Sequence, residues 1–183
     1  MKDRNTDQTN FISCVLEATS HRGALFISDF ECASDQELLE NYNITSVLSI
    51  DKNDSFILPK TISHKKIIAF DTELYKIKVH FESCLEFIRT ALESKQNVLV
   101  HCRRGISRSA AIIIAYFIKH QNLSYKQAHE YLLKRRSIVN PNKGFVSQLI
   151  AFEKTLIEYR QNTNTTTNEV RPSWELKTAE FFT

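Results

Sequence analysis

The sequence predicts an α/β fold: a central, twisted, parallel-rich sheet of four to five strands flanked by helices. Three observations carry that expectation. Short apolar, β-branched runs alternate along the chain with longer helical segments. Val98, Leu99 and Val100 are apolar on successive residues, as a strand covered on both faces must be. Residues 110–118 form a long apolar stretch, read as a helix buried in the middle of a fold. At 183 residues there is length for one domain with tails.

In chain order, residues 24–27 read as a strand, 35–41 as a helix and 45–50 as a second strand. A polar loop through Asp51-Lys52-Asn53-Asp54 and Pro59 then leads to a strand at 65–69. The helix 77–92 is amphipathic, with Phe81, Leu85 and Ile88 on its apolar side, and Cys84 on that side reads as core, with a redox partnership with Cys102 as the alternative. The strand 97–100 follows, then helices at 107–120, 124–134 and 143–158. Ser124 and Gln127 form a capping-box pattern at the start of the second of these, and Asn140-Pro141-Asn142 is a turn opening the third.

The most informative stretch is 98–112, Val-Leu-Val-His-Cys-Arg-Arg-Gly-Ile-Ser-Arg-Ser-Ala-Ala-Ile, a strand running through a tight loop into a helix. Gly105 can take positive φ without a Cβ clash, so the backbone can curl until successive N–H groups converge on one spot. The following helix adds its unpaired amides and its dipole to the same centre. The loop Arg103, Arg104, Gly105, Ile106, Ser107 and Arg108 therefore reads as a phosphate-binding loop between a strand and a helix. Cys102 sits where a thiolate is favoured and a nucleophile is ready. The planar Arg108 guanidinium can grip two phosphate oxygens, and the Ser109 hydroxyl is placed to donate to the sulfur. The bland alternative is a buried structural cysteine at a strand-to-helix turn.

His101-Cys102, five residues, then Arg108-Ser109 resembles the active-site motif of the cysteine-dependent protein tyrosine phosphatase superfamily. Leu25-Phe26-Ile27-Ser28 with Ala33-Ser34-Asp35, then Ile44-Thr45-Ser46-Val47-Leu48-Ser49 and Asn142-Lys143-Gly144-Phe145, narrow the resemblance to the small, atypical dual-specificity protein phosphatases. That resemblance implies hydrolysis of phosphate esters on Ser, Thr and Tyr of proteins through a phosphocysteine, with no cofactor and no metal. It also implies a general acid in a loop before the nucleophile. Asp71, in Ala69-Phe70-Asp71-Thr72, is the candidate, with Glu73 as its neighbouring alternative and a plain helix cap as the structural one. His101 is expected to order the loop through the backbone. Asn142 is expected to support the loop or simply to cap the last helix.

One departure is Arg104, where such relatives often carry a small residue, and with Arg103 it makes the loop rim doubly basic. The two side chains are either solvated or favour acidic and multiply phosphorylated substrates, including phosphoinositides and RNA 5′-phosphates. Ile106 and Ser107 stand where lipid-directed relatives commonly place lysine, which favours a phosphorylated protein as substrate. A non-catalytic phosphoprotein-binding or scaffold role is the alternative of a different class.

The net charge of +3, from 24 basic and 21 acidic residues, gives no reason to expect nucleic acid as a partner. The cluster Lys134-Arg135-Arg136 at a helix end suits the helix dipole, with docking of acidic substrate as the sharper reading. Four cysteines fall in no C-x-x-C pair, so a reducing compartment is expected: cytoplasmic, with nuclear or cytoskeletal association as variants. No secretory signal and no membrane span is read. The domain is expected over 21–159, after a partly disordered N-terminal segment at 1–20 and before a polar tether and tail at 160–183. Trp174, Leu176, Phe181 and Phe182 make that tail a candidate docking segment for a partner.

Overall fold

The computed structural model of the chain describes residues 11–53 and 57–164. Its sheet has five strands: β1 (Ser13–Leu16), β2 (Leu25–Ser28), β3 (Ile44–Asp51), β4 (Ser63–Ile68) and β5 (Asn97–Cys102), in the order β1-β2-β5-β3-β4. All neighbours are parallel except β1 on β2. The helices are α1 (Phe30–Ser34), α2 (Gln36–Asn41), α3 (Phe81–Glu93), α4 (Arg108–His120), α5 (Tyr125–Arg135) and α6 (Lys143–Asn164).

Alternation along the strands divides the core into two layers, because successive side chains leave opposite faces of a sheet. Leu25, Ile27, Leu48, Ile50, Val98 and Val100 face the larger cluster formed with α3, α4 and α6. Phe26, Val47 and Leu99 face the smaller cluster containing Ala33 and Leu39 of α1 and α2. The central β5 is thus covered on both sides, which is why its sequence is apolar without alternation. Helix α4 is buried from Arg108 through Ile118 and packs against α3, α5 and α6, so it too is apolar all round.

Asp35, at the start of the expected helix, caps α2 by accepting the Leu38 amide at 3.1 Å. At α5 both halves of the capping box are present, Gln127 N–H to Ser124 Oγ at 3.2 Å and Ser124 N–H to Gln127 Oε1 at 2.9 Å.

The differences lie at the ends. Residues 13–16, read as part of a preceding segment, form the antiparallel edge strand β1. Four residues carry too little pattern to be seen alone; the β2 edge and a buried side chain described below supply the partners. The short α1 also went unseen, a five-residue helix capped by Asp29. The first turn of the expected helix at 77 is a 3₁₀ turn (Ile77–His80). Helix α6 runs to Asn164, past 158 and into the segment expected as tether. Once nucleated, a helix adds one hydrogen bond per residue and needs no burial to extend a turn. The candidate tail residues Trp174, Leu176, Phe181 and Phe182, and residues 1–10, lie outside the described residues.

Candidate active site

β5 ends on His101 and Cys102 and so delivers both to the carboxyl edge of the sheet, where parallel sheets gather their ligands. The loop after them is shaped by donors from three other elements. The Phe30 amide approaches the Arg103 carbonyl at 3.4 Å, Arg136 Nε donates to the Gly105 carbonyl at 3.0 Å and the Asn140 amide to the Ile106 carbonyl at 2.8 Å. In a planar trans peptide the next N–H points the opposite way. With those three carbonyls turned outward, the amides of Arg104, Ile106 and Ser107 turn toward the loop centre.

Gly105 makes the curl possible at φ +63°, and a Cβ there would stand 2.6 Å from the Ser28 carbonyl oxygen. Ser107, the residue before α4, makes no side-chain cap bond, leaving the first-turn amides of that helix open to the same centre.

Cys102 is 1% exposed at the floor, and the Ser109 hydroxyl donates to its Sγ at 3.2 Å. Arg108 is 7% exposed. Its Nη1 is held by the Asp51 carboxylate at 3.1 Å and the Ala69 carbonyl at 3.2 Å. Its Nε is buried and has no hydrogen-bond partner among the described residues. A guanidinium anchored on one nitrogen with a second donor unsatisfied is a group built to meet an anion.

Asp71 lies beside it, with Oδ2 at 3.7 Å from Arg108 Nε. Its Oδ1 accepts from the Ser107 hydroxyl at 2.6 Å and from Asn142 Nδ2 at 2.9 Å. Asp71 caps no helix. The neighbouring Glu73 is exposed, and its carboxylate makes no hydrogen bond among the described residues. Asn142 does two things at once: it caps α6 by accepting the Phe145 amide at 3.0 Å, and it ties Asp71 and Ser107 together through Nδ2 and its own amide. Gly144 lets α6 press against this loop, since a Cβ there would lie 1.9 Å from the Glu73 carbonyl oxygen.

His101 is fully buried, and burial, with His64 nearby, pushes its imidazole down to about 4. It is neutral at neutral pH. Its Nε2 lies 2.6 Å from Ser49 Oγ, which is also 2.7 Å from His64 Nε2. Arg103 and Arg104 are exposed at the rim, the Arg103 guanidinium 5.2 Å above the Phe30 ring. Cys84 is buried in the larger core cluster, where burial pushes its thiol up to about 12.

Two residues of the site escaped the sequence reading. Asp51 was placed in a polar loop, whereas β3 carries it to the Arg108 guanidinium. Arg136 corrects the reading of the basic cluster as serving the helix dipole or docking acidic substrate: it stands at the end of α5 but is 0% exposed. Besides Gly105, it reaches the Phe11 carbonyl at 2.8 Å and Ser13 Oγ at 3.3 Å. Its neighbour Arg135 lies over the Tyr131 ring at 3.5 Å. Local sequence offers no signal that separates the two arginines.

A buried thiol followed by a loop with inward amides, with an anchored arginine and a carboxylate paired beside that arginine, is an arrangement chemically suited to hold a phosphate. The chain belongs to the dual specificity phosphatase catalytic domain family, which it matches over residues 25–155. It is 35% identical over 133 residues to "Dual specificity protein phosphatase 5" of Rattus norvegicus, covering 73% of this chain and 35% of that protein. It is 36% identical over 132 residues to "Dual specificity protein phosphatase 1B" of Arabidopsis thaliana, covering 72% of this chain and 79% of that one. The crystal structure of human tyrosine phosphatase-like serine/threonine/tyrosine-interacting protein matches with TM-score 0.72 and 31% identity, over 80% of this chain and 97% of that one. The chain spans only about a third of the length of the rat relative.

Proposed function

We propose that the chain is a cysteine-dependent phosphatase that hydrolyses phosphate esters on Ser, Thr and Tyr of proteins through a phosphocysteine. The observation that carries this reading is the loop after Cys102, in which three carbonyls are held outward by donors from other elements, together with the buried Arg108 Nε that has no hydrogen-bond partner among the described residues.

In the first step Cys102 Sγ attacks phosphorus in line, forming the S–P bond as the ester P–O bond breaks. The inward amides and Arg108 hold the three equatorial oxygens as charge redistributes. Asp71 gives its proton to the departing oxygen. Since Oδ1 already accepts two hydrogen bonds, the proton sits on Oδ2, the oxygen nearer Arg108. In the second step a water attacks phosphorus, the Asp71 carboxylate takes its proton, and the sulfur leaves as a thiolate stabilised by the Ser109 hydroxyl. A free nucleophilic thiol requires a reducing compartment, which favours the cytoplasm, with nuclear or cytoskeletal association as variants. No helix among the described residues is long and apolar enough to cross a membrane.

Hydrolysis of a small aryl phosphate by the purified chain, compared with Cys102→Ser, tests the reading. Turnover by the chain and none by the variant is the expected result; equal rates sink it. A phosphoprotein-binding or scaffold role is the second reading, favoured by the likeness to a phosphatase-like interacting protein. Tight phosphopeptide binding without turnover by the unmodified chain would select it. The Trp174, Phe181 and Phe182 segment is the candidate attachment for such a partner.

A further inference from the structure

Ser49 of β3 stands between two imidazoles, its Oγ 2.6 Å from His101 Nε2 and 2.7 Å from His64 Nε2. We propose that His64 is a positioning residue of the catalytic site: it donates from Nε2 to Ser49 Oγ, Ser49 donates to His101 Nε2, and this relay holds the ring next to the nucleophile in one tautomer. The proposal rests on the phosphatase reading and adds two residues outside the loop to the machinery of that site.

The three residues form a row across the sheet. Ser49 is paired with His101 in the β3–β5 ladder, one position before Ile50 meets Cys102. His64 lies on the other flank of β3, opposite Val47, two positions from Ser49 and therefore on the same face. Phe26, Val47 and Leu99 on that face belong to the smaller apolar cluster. Ser49 is 5% exposed and His101 0%, so the row is shielded from water, where hydrogen bonds in a chain polarise one another. It links the edge strand β4 to the point at which β5 delivers Cys102.

A serine hydroxyl carries one proton, so at most one of the two rings accepts from it and at least one must donate. His101 is neutral at neutral pH, because burial pushes it down to about 4, and so holds a single proton on one of its two nitrogens. His64, half-buried on the edge strand, can donate from Nε2 whether neutral or charged. With His64 as donor, the Ser49 proton serves His101 Nε2 and the His101 proton stays on Nδ1, the ring nitrogen nearer the main chain that continues into Cys102. The reverse order needs His64 to accept at Nε2, which its protonated form cannot do. His64 also reaches His101 through its charge, which opposes protonation of the buried ring.

Long-range proton–nitrogen spectra of the whole chain, nitrogen-labelled at histidine, read the tautomer directly. His101 is expected to carry its proton on Nδ1; a proton on Nε2 overturns the relay. With an aryl phosphate as substrate, His64→Phe should lower kcat about tenfold, the worth of one hydrogen bond, and leave KM within about twofold. His64→Gln keeps an N–H at the same reach and should recover most of that loss, which a merely space-filling role would not predict. The Ser49→Ala, His64→Phe pair should lose no more than Ser49→Ala alone, because either change opens the same relay. An unchanged kcat in His64→Phe, an equal loss in His64→Gln, or losses that multiply in the pair overturn the proposal. If the variants fail to fold, the tautomer in the unmodified chain decides. Absence of any turnover by the unmodified chain overturns the phosphatase reading instead, and the same spectrum then decides the relay.

Discussion

Arg136 Nε donates to the Gly105 carbonyl at 3.0 Å, joining the end of α5 to the turn of the catalytic loop. The same guanidinium bonds to Phe11 and Ser13, so one buried cation ties the N-terminal edge strand to the phosphate-binding loop.

Arg136→Met keeps much of the volume and removes every one of those donors. The buried Gly105 carbonyl loses its partner, at about 1–3 kcal/mol for a buried group left unsatisfied, and the part-buried Phe11 carbonyl loses one as well. Aryl phosphate turnover should fall at least tenfold with a lower Tm, and Arg136→Lys should recover only part of both. A variant with full turnover would show that the loop keeps its shape without this donor.

Asp71→Asn preserves the acceptor at Oδ1 for Ser107 and removes the acid at the other atom. Turnover of an alkyl phosphate, whose leaving oxygen needs a proton, should drop on the order of 10²-fold or more. An aryl phosphate with a good leaving group should lose far less. Equal losses on the two substrates would assign Asp71 to structure and not to proton transfer.

Ser109→Ala takes away the 3.2 Å hydrogen bond to Cys102 Sγ and leaves a methyl group in its place. Sulfur is the leaving group of the second step, so hydrolysis of the phosphocysteine should slow more than its formation. Rapid mixing with an aryl phosphate should show a burst near one equivalent of phenol, followed by a slow phase. Loss of the burst together with turnover would place the hydroxyl in the first step.

His101 connects stability to pH. Its ordinary value of 6.5 falls to about 4 in the folded chain, mainly through burial. Between those values the unfolded chain binds a proton that the folded chain does not, so stability declines as pH falls from about 6.5 toward 4, by ~3 kcal/mol at most. His120, also pushed down to about 4, acts in the same direction and window. Tm measured across pH 7 to 4 should slope less steeply for His101→Gln than for the unmodified chain, with a residual slope from His120. Identical slopes would remove His101 from the account.

Much of this architecture is legible in the residues because its signals are local. An apolar run marks β5, Ser124 and Gln127 mark the start of α5, and a glycine between a strand and a helix marks the loop. Cys102, Gly105, Arg108 and Ser109 lie within eight consecutive positions, so their joint chemistry could be read without knowing what surrounds them. Asp71 and Asn142 were reachable only through family resemblance, since nothing in their own neighbourhoods distinguishes them from a loop acid and a helix cap.

What the sequence by itself determined is the order of strands and helices from β2 onward apart from the short α1, the candidate nucleophile and the loop around it, because propensity, periodicity and turn chemistry act over a few residues. Tertiary structure decided the rest. It alone put Asp51 against Arg108, drew Asn142 to Asp71, and sank Arg136 while its neighbour Arg135 stayed over a tyrosine ring. Those pairings close over long separations in the chain, and whether a charged side chain finds water or a buried carbonyl depends on packing that no local pattern encodes.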